Sequence, residues 1–165
     1  HGSYWFDWTT DNEIAWKKNY QKWMAFLKDF HSNGGRITVG SDAGYIYKIY
    51  GFGYIRELEL LREAGLNALE VIHAASLAGA EALNMEDDIG SVAIGKKADM
   101  VIVNENPMDN FKVLYGTGHF KLDDNNQPMR TEGIQYTIKD GVIFDAQQLL
   151  EDVKAIVADE KAERQ

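Results

Sequence analysis

Apolar residues in the first part of the chain recur at helical spacing. Trp16, Tyr20, Trp23, Leu27 and Phe30 predict a helix over about Asp11–Asn33, with Thr10 and Glu13 forming a capping-box pattern and Gly34 as its stop. Its aromatic stripe reads as core packing. The period then shortens. Arg36-Ile-Thr-Val-Gly40 is β-branched, bounded by glycines and too short for a helix, so it reads as a buried strand of the parallel type. It runs into Ser41-Asp42-Ala43-Gly44 and an aromatic loop of Tyr45, Tyr47, Tyr50, Phe52 and Tyr54. A second helix is expected over about Tyr54–Ala64, with Ile55, Leu58 and Leu61 on one face and Gly65 as stop. A third is expected over about Ala68–Leu83, with Asn67 as N-cap and Glu70 as its reciprocal partner. His73, inside it, reads as a packing residue.

The character changes at about Glu86–Gly90. Ala98–Val103 reads as a strand, and Ile134–Ile138 and Val142–Phe144 flank Lys139-Asp140-Gly141. Asp-Gly between two such runs signals a hairpin, because both residues tolerate positive φ. A final amphipathic helix follows, capped by Asp145, with Leu149, Leu150, Val153, Ile156 and Val157 as its apolar face. The expected organisation is an α/β part over residues 1–86 and a small β part with a terminal helix over residues 87–165.

Composition narrows the function classes. Of 165 residues, 45% are hydrophobic, which is enough for a packed core. A net charge of −9 argues against nucleic acid as a partner, since displacing phosphate counterions needs a basic surface. No apolar run reaches the roughly 20 residues that a membrane span needs. The absence of cysteine removes disulfide frameworks, Cys-zinc sites and thiol nucleophiles, and leaves the compartment open. The four histidines, at 1, 31, 73 and 119, show no metal-ligand spacing.

Several motif fragments fail on inspection. Gly90–Lys96 begins like a P-loop, but Lys97 stands where a Mg²⁺-binding Ser or Thr belongs, and a strand rather than a helix follows. Gly51-Phe-Gly53 opens a dinucleotide fingerprint, yet Arg56 replaces its third glycine. Asp123-Asp-Asn-Asn126 lacks the Gly and Glu of a calcium loop and reads as a surface turn. Asp42 stands apart because it directly follows the expected buried strand. In a barrel of parallel strands that is the active-site rim, where a carboxylate can bind a metal and accept a proton from metal-bound water. By pattern alone, a cap or turn role is the commoner one.

Resemblance changes the weight. Gly40-Ser-Asp-Ala-Gly44 resembles the end of the eighth barrel strand in the amidohydrolase superfamily, the group that includes imidazolonepropionase and prolidase-like enzymes. Glu57–Leu66 is similar to that family's last barrel helix, and Ile72–Leu83 to the helix after it. Gly90–Val103 resembles the segment that re-enters the family's small β-sandwich, and Asn106-Pro107 and the hairpin 138–143 fit its remaining strands. The resemblance implies the last β/α unit of a TIM-type (β/α)₈ barrel plus the C-terminal strands of a β-sandwich. It implies hydrolysis of an amide, lactam or related C–N bond with Zn²⁺ or another divalent metal. Asp42 would be metal ligand and proton acceptor, and Tyr45 and Tyr47 would be substrate-wall residues. The family's His-x-His, its Lys or Glu bridge and its two further histidines have no counterpart in these 165 residues. The reading is therefore of an incomplete fragment, inactive alone, whose remaining barrel is either truncated or supplied by another chain. A small-molecule substrate and a homo-oligomeric assembly are expected. The alternative is a non-catalytic α/β module that keeps only the remnant of the fold.

Overall fold

A computed structural model describes residues 6–45 and 48–164. Its first element is helix α1 (Thr10–Ser32). The N-cap is Thr9, whose side chain accepts from the Asn12 backbone N–H, so the cap lies one residue before the expected Thr10. Helix α2 (Phe52–Glu63) buries Ile55, Leu58 and Leu61, the face its sequence predicts. Helix α3 (Ala68–Ala74) has the expected capping box. The Asn67 side chain accepts from Glu70 N–H at 3.0 Å, and the Glu70 carboxylate accepts from Asn67 N–H at 2.7 Å.

The single helix expected over Ala68–Leu83 is two. α3 stops at Ala74, and α4 (Leu77–Ala82) starts after Ser76. The Ser76 hydroxyl donates back to Ile72 C=O at 2.6 Å, a local bond that competes with the helix ladder and bends it. The Tyr54 hydroxyl donates to Ala75 C=O at 2.9 Å, satisfying a carbonyl at the break.

The core lies among these helices. Leu58 and Val71 are almost wholly buried, at 2% and 0% exposure. Each full burial of such a side chain stabilises by about 1.5–3 kcal/mol. Met24 and Leu27 of α1 and Ile37 and Val39 of the following segment pack against this core, as does Phe111 from a 3₁₀ turn (Phe111–Leu114) farther along the chain.

The rest of the chain forms strands β1 (Met100–Val103), β2 (Phe120–Leu122), β3 (Pro128–Arg130), β4 (Ile134–Lys139) and β5 (Val142–Asp145), then helix α5 (Ala146–Glu163). β1, β4 and β5 make an antiparallel sheet in that order, and β2 and β3 make a separate antiparallel ribbon. Asp140 and Gly141 form the hairpin tip with φ of 50° and 82°, as expected of Asp-Gly. Asp99 clips that tip to β1. Its carboxylate accepts from Asp140 N–H at 2.7 Å and from the Lys139 ammonium at 2.5 Å. Asp123 closes the β2–β3 turn by accepting two backbone N–H groups at 2.8 Å, which is the surface-turn role expected of it. Asp145 caps α5, accepting from Gln147 and Gln148 N–H.

Two expectations fail on burial. The α1 aromatic stripe is not core: Trp16, Trp23 and Phe30 are 56%, 62% and 44% exposed. The apolar arc of α1 is wider than the surface α2 offers, so Met24 and Leu27 are partly covered while the aromatic border is left open. His73 is exposed, because it lies opposite Val71 and Ala74 on its short helix.

Candidate functional site

Asp42 is reached through an extended segment. Gly34, with φ of 84°, ends α1, and Gly35 N–H donates back to Phe30 C=O at 2.8 Å. From Arg36 to Ser41 burial alternates, with Ile37 and Val39 turned to the helical core and Arg36, Thr38 and Gly40 outward. This is strand periodicity, yet among the described residues the segment pairs with no other strand. The expected strand over Ile37–Gly40 is thus absent as a hydrogen-bonded element. A strand exists only beside a neighbour that takes up its N–H and C=O groups, and among the described residues none lies at either edge.

Asp42 follows with φ of 48°, a left-handed conformation that Asp tolerates better than most residues. The chain then doubles back on itself. Tyr45 N–H donates to Asp42 C=O at 3.4 Å, Gly44 N–H to Lys48 C=O at 2.9 Å, and Lys48 N–H to Tyr45 C=O at 3.3 Å. Gly44 has φ of 95°, and a Cβ there would lie 2.3 Å from the Tyr50 hydroxyl, so only glycine lets Tyr50 fold over it. At the far end Gly53 abuts Ser41, where a Cβ would meet the serine Cβ at 3.3 Å. The two ends of the segment from Ser41 to Gly53 are therefore close together.

Asp42 is exposed, and among the described residues no hydrogen bond or ion pair engages its carboxylate. Among the described residues, Asp42 lines none of the four cavities below. The polar cavity of about 320 Å³ beside Thr131, the one of about 240 Å³ beside His31 and His73, and the two along α1 are all lined by other residues.

Tyr45 is 58% exposed beside Asp42, and Tyr50 is 75% exposed on the same loop. Tyr47 lies outside the described residues. Of the other loop aromatics, Tyr54 turns inward, and burial raises its pKa above the ordinary 10.0. Phe52 packs on Tyr115 with ring centroids 5.3 Å apart, tying the loop to the segment after the 3₁₀ turn. Sequence reading passed over Lys48, whose ammonium lies 3.8 Å from Glu57 and braces the loop on α2. Its nine-residue separation from Glu57 carries no local periodicity that would have found the pair.

Among the described residues no group of three or more His, Cys, Asp or Glu side chains is placed to hold a metal ion. Asp42 is thus an exposed carboxylate at a turn that opens an aromatic-rich loop.

Comparison with known proteins places these features. Residues 12–144 match the model of the Amidohydrolase family. A 5'-deoxyadenosine deaminase from Methanobrevibacter smithii is 27% identical over 90 residues, covering 50% of this chain and 21% of the deaminase. A Xaa-Pro dipeptidase, solved with methionine bound in its active site, superposes with a TM-score of 0.56 and 27% identity, over 74% of this chain and 25% of its own. An amidohydrolase crystal structure superposes with a TM-score of 0.55 and 26% identity, over 74% of this chain and 25% of its own. The chain therefore spans about a fifth to a quarter of the length of the proteins it matches.

Proposed function

The chain belongs to the amidohydrolase family, and from that premise we propose that it serves as the last β/α unit of a (β/α)₈ barrel, followed by the C-terminal strands of a β-sandwich, within a longer enzyme that hydrolyses C–N bonds. The observation that carries this reading is the order of elements inside the matched span. α1, an extended segment ending in Asp42, α2, the split helix and the antiparallel sheet follow one another within residues 12–144. The unpaired edges of Arg36–Ser41 and the open aromatic border of α1 support it, since both want neighbours that a barrel supplies.

Asp42 is the residue of this chain that does chemistry in this reading. Its free carboxylate accepts the proton of the attacking water and passes it to the departing nitrogen, which then leaves as a neutral amine or ammonia. The left-handed backbone at Asp42 turns the chain there, at the start of the loop that carries Tyr45. Tyr45, exposed beside Asp42, is the wall against which the substrate's side group rests; Tyr47, assigned the same role from the sequence, lies outside the described residues. The described residues do not make a metal site by themselves; in the longer protein Asp42 would contribute one ligand to Zn²⁺ or another divalent cation.

The test is Asp42→Asn in the longer protein. The amide matches the carboxylate in size but cannot take the proton, so turnover of a dipeptide, N-acyl amino acid and aminopurine panel is expected to fall by at least about 10³-fold, with the circular-dichroism spectrum unchanged. This 165-residue chain alone is expected to show no turnover with added zinc. An Asp42→Asn protein that keeps full activity, or robust turnover by this chain alone, would refute the reading.

A further inference from the structure

Among the described residues, His119 is the histidine whose two ring nitrogens are both engaged. It stands half-buried just before β2, and its backbone pairs across the β2–β3 ribbon: Thr131 N–H donates to His119 C=O at 2.8 Å. Thr131 is a polar residue at only 4% exposure. Its Oγ1 accepts from the His119 backbone N–H at 3.0 Å and lies 3.0 Å from the ring's Nδ1. On the other side of the ring, Asn110 Nδ2 lies 3.3 Å from Nε2. Asn110 is the N-cap of the 3₁₀ turn, whose Phe111 belongs to the helical core. The ring thus links the ribbon to a turn that is anchored in that core.

The direction of these bonds follows from one backbone group. Lys112 N–H donates to Asn110 Oδ1 at 3.0 Å, so the oxygen of that amide faces the turn and its NH₂ faces the ring. The reversed amide would set NH₂ against N–H. Nε2 is therefore an acceptor, and the proton of the neutral ring sits on Nδ1, from which Thr131 Oγ1 accepts. A second proton, on Nε2, would face the Asn110 NH₂, donor against donor.

We propose that Asn110, His119 and Thr131 form a proton-sensitive clip between the β2–β3 ribbon and the 3₁₀ turn. Closed, the clip holds a neutral ring with its proton on Nδ1. Protonation of Nε2 releases Asn110 and loosens the ribbon from the turn. The ionisable side chains of the surrounding elements are engaged elsewhere. Lys112 lies 3.7 Å from Glu59, Lys121 pairs with Glu105, and Arg130 donates to Thr117 C=O at 2.6 Å. Glu132 accepts from Asn104, Asp109 accepts from Asn106 at 3.2 Å, and the Tyr115 ring packs on Phe52. Among the described residues no ion pair includes His119. The proposal is independent of the catalytic reading, because it needs no activity.

Two measurements on this chain test it. In a long-range proton–nitrogen NMR spectrum at about pH 8, above the ordinary imidazole value of about 6.5, His119 should show a protonated Nδ1 and a bare Nε2. The second measurement is the melting temperature from about pH 8 to about pH 5, for the wild type, His119→Gln and Asn110→Asp. The unfolded chain takes up the imidazole proton freely and the closed clip does not, and stability rises with pH wherever the unfolded state binds more protons. Relative to His119→Gln, whose side chain does not titrate, the wild type should lose about 2–4 °C as the pH falls across this range. Asn110→Asp keeps the N-cap, because Asp accepts the Lys112 N–H as well as Asn does, and it offers Nε2–H a carboxylate. That chain should instead gain on His119→Gln as the pH falls. The remaining titratable groups are common to all three chains and cancel in these differences. A protonated Nε2 at pH about 8, a constant gap between wild type and His119→Gln, or a wild type and an Asn110→Asp chain that respond alike would each overturn the proposal.

Discussion

Helices α2 and α3 each bury an apolar face, whereas the three-stranded sheet leaves many of its apolar residues in the open. Leu58 and Val71 are at 2% and 0% exposure, whereas Val101, Ile143 and Phe144 are at 51%, 65% and 42%. The strands of the sheet are at least as apolar in sequence as α2 and α3, so hydrophobicity does not explain the contrast. Layering does. α2 and α3 close on each other, with Ile37, Val39 and Phe111 sealing the gaps. A sheet has two faces and needs a layer against each. Neighbouring positions in β1 and β5 point to opposite faces, and both are apolar: Ile143 lies on one, Val101 and Phe144 on the other. Apolar character thus records that a residue belongs in an interior; whether this chain alone supplies that interior is a separate matter.

The strongest way to break the contrast is to make the same kind of cut in both regions. Leu58→Ala is expected to cost about 2–5 kcal/mol of stability, because it opens a cavity among α2, α3 and the 3₁₀ turn. Ile143→Ala, at 65% exposure, is expected to stay within about 0.5 kcal/mol. Urea unfolding of both variants measures the difference. If Ile143→Ala cost as much as Leu58→Ala, the sheet would be covered in solution by another surface, and the contrast would collapse.

The next effect is one of backbone fit, in the segment between the 3₁₀ turn and β2. Gly118 has φ of 67°, and a Cβ there would lie 1.9 Å from Thr131 C=O. Gly118→Ala is expected to destabilise by about 1–3 kcal/mol, read as a lowered urea midpoint with an unchanged slope. An unchanged midpoint would mean that this segment moves freely relative to β3. Smaller again is Tyr54→Phe, which removes the hydroxyl from Ala75 C=O. A loss of about 0.5–1.5 kcal/mol is expected, with faster amide exchange confined to the α3–α4 junction. Uniformly faster exchange would show that the bond supports the whole helical core rather than the break.

The sequence made legible those features whose cause lies within a few residues. The Asn67–Glu70 capping box, the Asp140-Gly141 hairpin, the Asp145 cap and the Ile55, Leu58, Leu61 face all rest on contacts three or four positions apart or across a two-residue turn. The break at Ser76 was less legible, because it depends on a serine back-bond and on Tyr54 arriving 21 positions away. The α1 stripe was misread as covered for the same reason that makes the sheet look unfinished: periodicity shows which side is apolar and carries no information about what lies opposite. The candidate site divides in the same way. Asp42 stands out by its place after a β-branched run, and its left-handed turn fits the residue type. The strand pairing and cleft expected around it depend on segments that this chain does not contribute.

The mildest test falls on the β region, whose order depends on clips at its edges more than on a core. The Lys139 ammonium, then the Asp140 N–H, hold the Asp99 carboxylate below its ordinary pKa of 3.8. A carboxylate with a lowered folded pKa binds its proton less readily in the folded chain than in the unfolded one. Its stabilising contribution is therefore fully present above the ordinary value and is lost as pH falls through the folded one. Asp99→Asn keeps one acceptor for Asp140 N–H but loses the charge that holds Lys139. At neutral pH the variant should melt slightly lower than the wild type. As the pH is taken down below about 4, the two melting temperatures should converge, because protonation removes the same charge from the wild type. High salt should narrow the gap at neutral pH, since the pair is solvent-exposed and screened. If the gap stayed constant from neutral pH to pH 2, Asp99 would be acting only as a neutral hydrogen-bond acceptor, and the sheet's edge would not depend on its charge.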